Sequence, residues 1–142
     1  MLFTMLDLFR LLLDFGVVVL IWLVQLVIYP SFKYFSREGI NRWHPKYTFL
    51  VSFVIMPLLL GQLALAAYQV FFFPDLFTIV SFILIIIAWI LTFFFAVPIH
   101  HTFSLAEDHQ VLADRLIRIN AYRTIVWTLA FVFSLIRLFL LE

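Results

Sequence analysis

The sequence predicts an all-α integral membrane fold: an antiparallel bundle of four transmembrane helices in a single domain spanning 1–142. Three observations carry that prediction. Hydrophobic residues make up 66% of the chain and charged residues 12%, against about 45–50% and about 25% in a soluble domain. Mean hydropathy is +1.17; a water-soluble fold of this size has no interior large enough for that much apolar surface. The charged residues are also segregated. None, and no histidine, falls between Phe15 and Phe32, between Tyr47 and Pro74, or between Leu76 and Ile99. Runs of about 20 apolar residues are what a bilayer crossing needs.

Each helix then follows in order. The first lies near 8–32; Asp7 and Asp14 near its start, and the lack of an A-x-A site after the apolar run, argue against a cleaved signal. The second lies near 46–72 and the third near 76–99, joined by FFFPD, which is long enough only for a tight antiparallel hairpin. The fourth lies near 110–140. Its charge-free run, Thr124 to Ile136, is short, but Arg123 and Arg137 bound it and can extend their heads toward the lipid headgroups. Ahead of it, Leu105, Leu112, Leu116 and Ile119 recur near helical spacing, with acids first and bases last. SREGINRW, before helix 2, reads as a short interfacial turn or helix with Ser36 as its cap, and Pro45 suits the first turn of the helix that follows. Helix 1 reaches Tyr29-Pro30 and helix 3 reaches Val97-Pro98 at the same boundary, a faint internal repeat.

Lys33, Arg37, Arg42 and Lys46 in one long loop, with Arg115, Arg118 and Arg123 in the other, put most of the basic charge on one side. The positive-inside rule then places both long loops in the cytoplasm and both termini outside a multi-pass protein of the inner (plasma) membrane. The absence of cysteine removes disulfides, thiolate metal sites and dithiol redox chemistry. A net charge of +1 argues against a nucleic-acid partner. Membrane lipid and a lipophilic small molecule are the expected partners, with a homo-oligomer required if the chain were a transporter, because four helices enclose a narrow interior.

Polar side chains at about 100° per residue form one stripe on each helix. The stripes are Asp7, Arg10, Asp14, Trp22, Gln25 and Tyr29; His44, Tyr47, Thr48, Gln62 and Gln69; Thr78, Ser81, Trp89, Thr92 and Ala96; and Asn120, Arg123, Thr124, Trp127 and Ser134. Hydrocarbon penalises such stripes, so they should converge inside the bundle. Asp7, Arg10 and Asp14 have pairing distances on one helix, and Arg137 is expected to reach Asp14. Polar residues of this kind commonly serve only as glue between helices. The tryptophans read either as core packing or as the walls of an aromatic pocket, with Trp22, Trp89, Trp127 and Gln62 as substrate-binding candidates.

The candidate catalytic set lies at the basic boundary. His44 and Tyr47 share a face at the start of helix 2, His100 and His101 follow helix 3, and Asn120, Arg123 and Trp127 share a face of helix 4. His44 and Tyr47 would handle a proton, Arg123 an anionic or enolate oxygen, and Asn120 a carbonyl. His100 and His101 are the candidate ligands for a metal ion or haem, although adjacent helical positions do not face one metal. His109, in the charged AEDHQ segment, reads as a solvated histidine.

Tyr29-Pro30, His44-x-x-Tyr47, Met56-Pro57, Val97-Pro98 with a polar residue two further on, and Asn120-x-x-Arg123-Thr124 occur here in one order along most of the chain. In this the chain resembles a broad family of small four-helix membrane proteins that includes the anthrone-oxygenase-like proteins. That family often carries Asn two positions past the Val-Pro pair, where this chain has His100. The resemblance implies a four-helix bundle with a site at the inner edge, and oxygenation of a polycyclic phenol without an obvious bound cofactor. Three function classes therefore stand: a membrane oxidoreductase, cofactor-independent or assisted by haem or metal, acting on a lipophilic aromatic or quinone-like substrate; a non-catalytic scaffold, lipid-binding protein or partner subunit; and a haem- or metal-binding membrane protein.

Overall fold

The computed structural model describes residues 2–103 and 108–140, with side chains from Met5 onward. Four helices are long and apolar enough to cross a membrane: α1 (Met5–Tyr34), α2 (Arg37–Phe72), α3 (Leu76–Thr102) and α4 (His109–Leu140). No strand occurs among the described residues. α1 packs on α2 and α4, and α3 packs on the same two, so sequence neighbours are spatial neighbours around an up-and-down bundle. The backbones of α2 and α3 approach closely along the first half of α3 and spread beyond it, the side chains meeting again toward the end of α3, where His44 touches His100 and Phe103. The terminal end holds the α2–α3 turn, the start of α1 and the end of α4. The other end, with the two longer connections, is the basic end.

The segregation of polarity is what builds the bundle. Along α1 as far as Val24 the buried residues are Asp7, Arg10, Asp14, Val17, Ile21 and Val24, in steps of three and four that keep one face inward. Phe53, Phe94 and Leu26 are each about two-thirds exposed or more, on the faces turned to lipid. Apolar packing closes the basic end around Phe32, Ile40, Phe103 and Leu116, all within 1% of full burial, and a second cluster of Val17, Ile21, Leu59, Ala88 and Trp127 fills the middle.

Two local findings differ from the sequence-based expectation. The 36–43 segment is not a separate turn: α2 starts at Arg37, capped by Ser36 Oγ, which accepts from Gly39 N at 3.1 Å. Pro45 is therefore a helix-interior residue rather than a first-turn one. His100 and His101 lie inside the last turns of α3, not past its end, so their side chains diverge by about 100°. Leu105, expected in the lead-in to α4, falls outside the described residues; the lead-in from His109 onward is continuous with α4.

α1 and α3 carry the same distortion. Residues 24–28 and 91–96 form π turns, closed by Tyr29 N–H to Val24 O and by Val97 N–H to Thr92 O. Each is followed at once by a proline, Pro30 or Pro98. A proline has no N–H, and its ring clashes with the carbonyl four residues back, here Leu26 and Phe94. Widening that turn relieves the clash without breaking the helix. The two Pro pairs of the faint repeat thus produce matching geometry, and each π turn re-aims the residues beyond it toward the centre of the bundle.

Candidate functional site

The re-aimed residues are Tyr29 on α1 and His100 on α3, and they meet. Tyr29 Oη lies 2.9 Å from His100 Nε2, and His100 Nδ1 lies 2.8 Å from His44 Nε2. One phenol and two imidazoles from three helices form a single hydrogen-bonded chain. His44 is fixed by aromatic packing: its ring stacks on Phe103 at 4.4 Å and 8°, and Phe32 meets it edge-on at 5.7 Å. Phe32 also meets Tyr47 edge-on at 5.3 Å, so one wholly buried ring holds both α2 residues in place. The chain reads equally well in either polarity. Tyr29 O–H can donate to His100, which donates to His44, or the reverse. Reversal of such a chain moves one proton along it.

Arg123 approaches from α4. It is 5% exposed, its NH1 donates to Asn120 Oδ1 at 3.1 Å, and its guanidinium sits 5.2 Å from the centre of the Trp127 ring and beside the Tyr29 hydroxyl. Its Nε has no hydrogen-bond partner, and among the described residues no carboxylate pairs with it. A buried cation with no counter-ion is costly. Tyr29, His44, Tyr47, His100, Arg123 and Trp127 face one cavity of about 470 Å³. Apolar residues of α1 and α2, Val17 to Val24 and Val51 to Leu59, supply most of the rest of its wall. Thr48, Ser52, Phe93 and Val97 line it along the open half of the α2–α3 seam, the direction from which a molecule dissolved in the bilayer would enter.

No family model, curated protein or solved structure matches this chain.

Of the residues singled out from sequence, His44, Tyr47, His100, His101, Arg123 and Trp127 line the cavity. Asn120 stands behind it as a buried positioning group: its Nδ2 donates to Gln25 Oε1 at 2.9 Å while its Oδ1 holds Arg123. Trp22, Trp89 and Gln62 are not in the lining. Trp22 is 43% exposed and donates to Thr128 Oγ1 at 3.1 Å. It sits one residue past the buried Ile21, and that single step of about 100° turns it to the bundle surface. Trp89 packs on Phe93, 5.1 Å between rings. Gln62 belongs to the other polar cluster, accepting from Trp127 Nε1 at 3.1 Å and donating to Asp14 Oδ1 at 2.6 Å. Tyr29, which the sequence placed only on a polar stripe, is central. The Pro after it was the signal: a proline within a membrane helix marks a local widening.

His100 and His101, the imidazoles expected to hold a metal or haem, do not converge on one position. Both nitrogens of His100 are engaged, His44 uses one of its own on His100, and His101 is exposed. No group of three His, Cys, Asp or Glu side chains converges among the described residues.

The second polar cluster occupies the terminal end. Arg10 Nε donates to both oxygens of Asp14 at 3.0 Å, Arg10 NH1 reaches Gln69 Oε1 at 3.3 Å, and Ser134 Oγ donates to Asp14. Arg137 pairs with Asp7 and Asp75, not with Asp14 as the sequence led one to expect. Arg10 already satisfies Asp14 from one turn away, and Asp7 lies on the same inward face a further turn toward the terminal end.

Proposed function

We propose that this chain is a small membrane oxidoreductase whose cavity takes a lipophilic ring compound bearing an acidic oxygen, a phenol or hydroquinone, from the bilayer. The observation that carries this reading is Arg123: a buried guanidinium with no carboxylate partner among the described residues, facing a mainly apolar cavity at the phenol end of the Tyr29–His100–His44 chain. A substrate oxyanion would supply the missing counter-charge, and the Tyr29–His100–His44 chain would take the proton. The Trp127 face would receive the ring. Ionised hydroquinones give up electrons far more readily than neutral ones. With dioxygen as acceptor the balance is complete: the hydroquinone loses two protons and two electrons and becomes the quinone, and dioxygen gains both and becomes hydrogen peroxide. The positive-inside distribution of Lys and Arg supports a cytoplasmic position for the basic end.

The test uses the purified protein in lipid nanodiscs with a lipophilic hydroquinone. Binding is read from Trp127 fluorescence, with Trp127→Phe as the control, and turnover from quinone absorbance. Turnover lost in both His100→Phe and Arg123→Gln supports the enzyme. Saturable binding lost in Arg123→Gln, with no turnover, leaves a lipophile-binding protein. No binding of any phenolic lipophile overturns the reading.

A further inference from the structure

The terminal end holds a group that the cavity chemistry does not use. Asp7 is 2% exposed. Gln69 Nε2 and Arg137 Nε both donate to its Oδ1, at 2.8 Å each, while its buried Oδ2 has no hydrogen-bond partner. Arg137 is shared: its NH1 donates to both oxygens of Asp75, at 2.8 and 2.6 Å, and Asp75 also accepts from Thr78 N at 2.8 Å. Asp14 has donors on both oxygens, from Arg10, Gln62 and Ser134. Among the described residues, two guanidiniums face three carboxylates here, and one oxygen of Asp7 is left without a donor.

That oxygen's residue lines a void of about 10 Å³, together with Arg10, Gln69, Thr78, Ser81 and Arg137. The space suits about one water molecule. An ionised carboxylate with a bare oxygen is expensive at this depth, and a proton on it removes the cost.

We infer that Asp7 is a proton-binding site, with Oδ2 as the atom protonated and the adjoining void as its route of exchange. The neutral carboxyl still accepts from Gln69 and Arg137 through Oδ1, so the helices need not move when the proton leaves. The groups facing Asp7 are Arg10 on its own helix, Gln69 on α2, Asp75 and Thr78 at the α2–α3 turn and the start of α3, and Arg137 on α4. Counted over the described residues, the cluster is neutral with the proton bound and carries one excess negative charge without it. Intramembrane carboxyls of this kind are the usual working parts of proton-moving membrane proteins.

The experiment uses the whole chain in nanodiscs. Dicyclohexylcarbodiimide adds covalently to protonated carboxyls in apolar surroundings, and the adduct is located by peptide mass. The expected adduct is on Asp7, falls away as the pH is raised, and is absent from Asp14. In infrared spectra a carboxylic-acid carbonyl band should disappear in Asp7→Asn and persist in Asp114→Asn, whose exposed carboxyl pairs with Lys33 at the basic end. Because the carbodiimide measurement needs no variant, a misfolded Asp7→Asn would not spoil the test. The inference is overturned if Asp7 takes no adduct and no Asp7-dependent acid band appears at any pH where the helices remain folded. It is equally overturned if Asp7 stays ionised and its carboxylate band shifts with added sodium at fixed pH, which would make the ligand a monovalent cation. Neither outcome bears on hydroquinone binding at the other end.

Discussion

His44 and His100 are 56 positions apart, on helices whose seam is open beside them, and yet they share a hydrogen bond of 2.8 Å between Nε2 and Nδ1. The bond exists because Phe103 and Phe32 fix the His44 ring while the π turn before Pro98 swings His100 inward. Packing and proton transfer are therefore separable at His44. Phenylalanine there should keep the stack on Phe103 and the fold while removing the last member of the chain. We expect His44→Phe to melt within a few degrees of wild type and to lose most hydroquinone turnover. His44→Ala should lose turnover and also about 1–3 kcal/mol of stability through the cavity it leaves. Thermal melts and initial rates on the two variants check this.

Arg123 has the opposite character. It lacks a carboxylate partner among the described residues, and its burial works against the folded state. Arg123→Met, similar in length and apolar, should leave the protein as stable as wild type or more so, a trade of stability for function. Affinity for a phenolic ligand should fall by about ten- to a hundredfold, corresponding to the ~1.5–3 kcal/mol of a charged hydrogen bond. Calorimetric melting and fluorescence titration on one sample read both effects. A marked loss of stability with unchanged affinity would mean that Arg123 is a structural residue only.

Asp14 tests the terminal-end network. It is fully buried and receives Arg10, Gln62 and Ser134 from three helices. Asp14→Ala leaves the Arg10 guanidinium buried without its ion pair and should cost about 3–5 kcal/mol. Adding Arg10→Met should recover part of that loss, because the uncompensated charge is then gone. The exposed Arg42–Glu38 pair on α2 is the contrast: Arg42→Ala should be close to silent. Denaturant unfolding in mixed micelles, with helicity as the probe, distinguishes the three.

The reach of sequence reasoning follows from which forces act locally. Spans and inward stripes were legible because hydrocarbon sorts side chains by polarity alone, and Asp7, Arg10, Asp14, Gln62, Asn120 and Trp127 are all buried accordingly. The meeting of His44, His100 and Arg123 at one cavity followed from their common depth. Periodicity fails within a residue of a stripe's edge, as at Trp22, where 100° separates core from lipid. It also cannot foresee a π turn, which adds a residue to the helical repeat and resets the phase; Tyr29 and His100 owe their contact to two of them. Pair identity within a cluster was equally out of reach. Asp7, Asp14 and Asp75 compete for Arg137 at distances that only the assembled bundle defines.

The α2–α3 turn should resist acid, for a reason visible at Asp75. Burial alone would raise this carboxyl, but the Thr78 N–H and the Arg137 guanidinium outweigh it and hold the group below its ordinary 3.8. A carboxyl depressed on folding stabilises the folded state at pH above its unfolded value. That contribution is lost only as the pH falls through the lower, folded value. Asp75 should therefore contribute its full share at neutral pH, begin to lose it near pH 3.8 and lose the rest only in stronger acid. Since Asp75 is 43% exposed, solvent screens part of the effect. Asp75→Asn should lower the melting temperature at neutral pH, and the gap to wild type should close below the folded value, where both side chains are uncharged. Melting curves of the two proteins across the acid range measure that convergence; a gap that stays constant with pH would show that Asp75 acts as a helix cap alone and not through its charge.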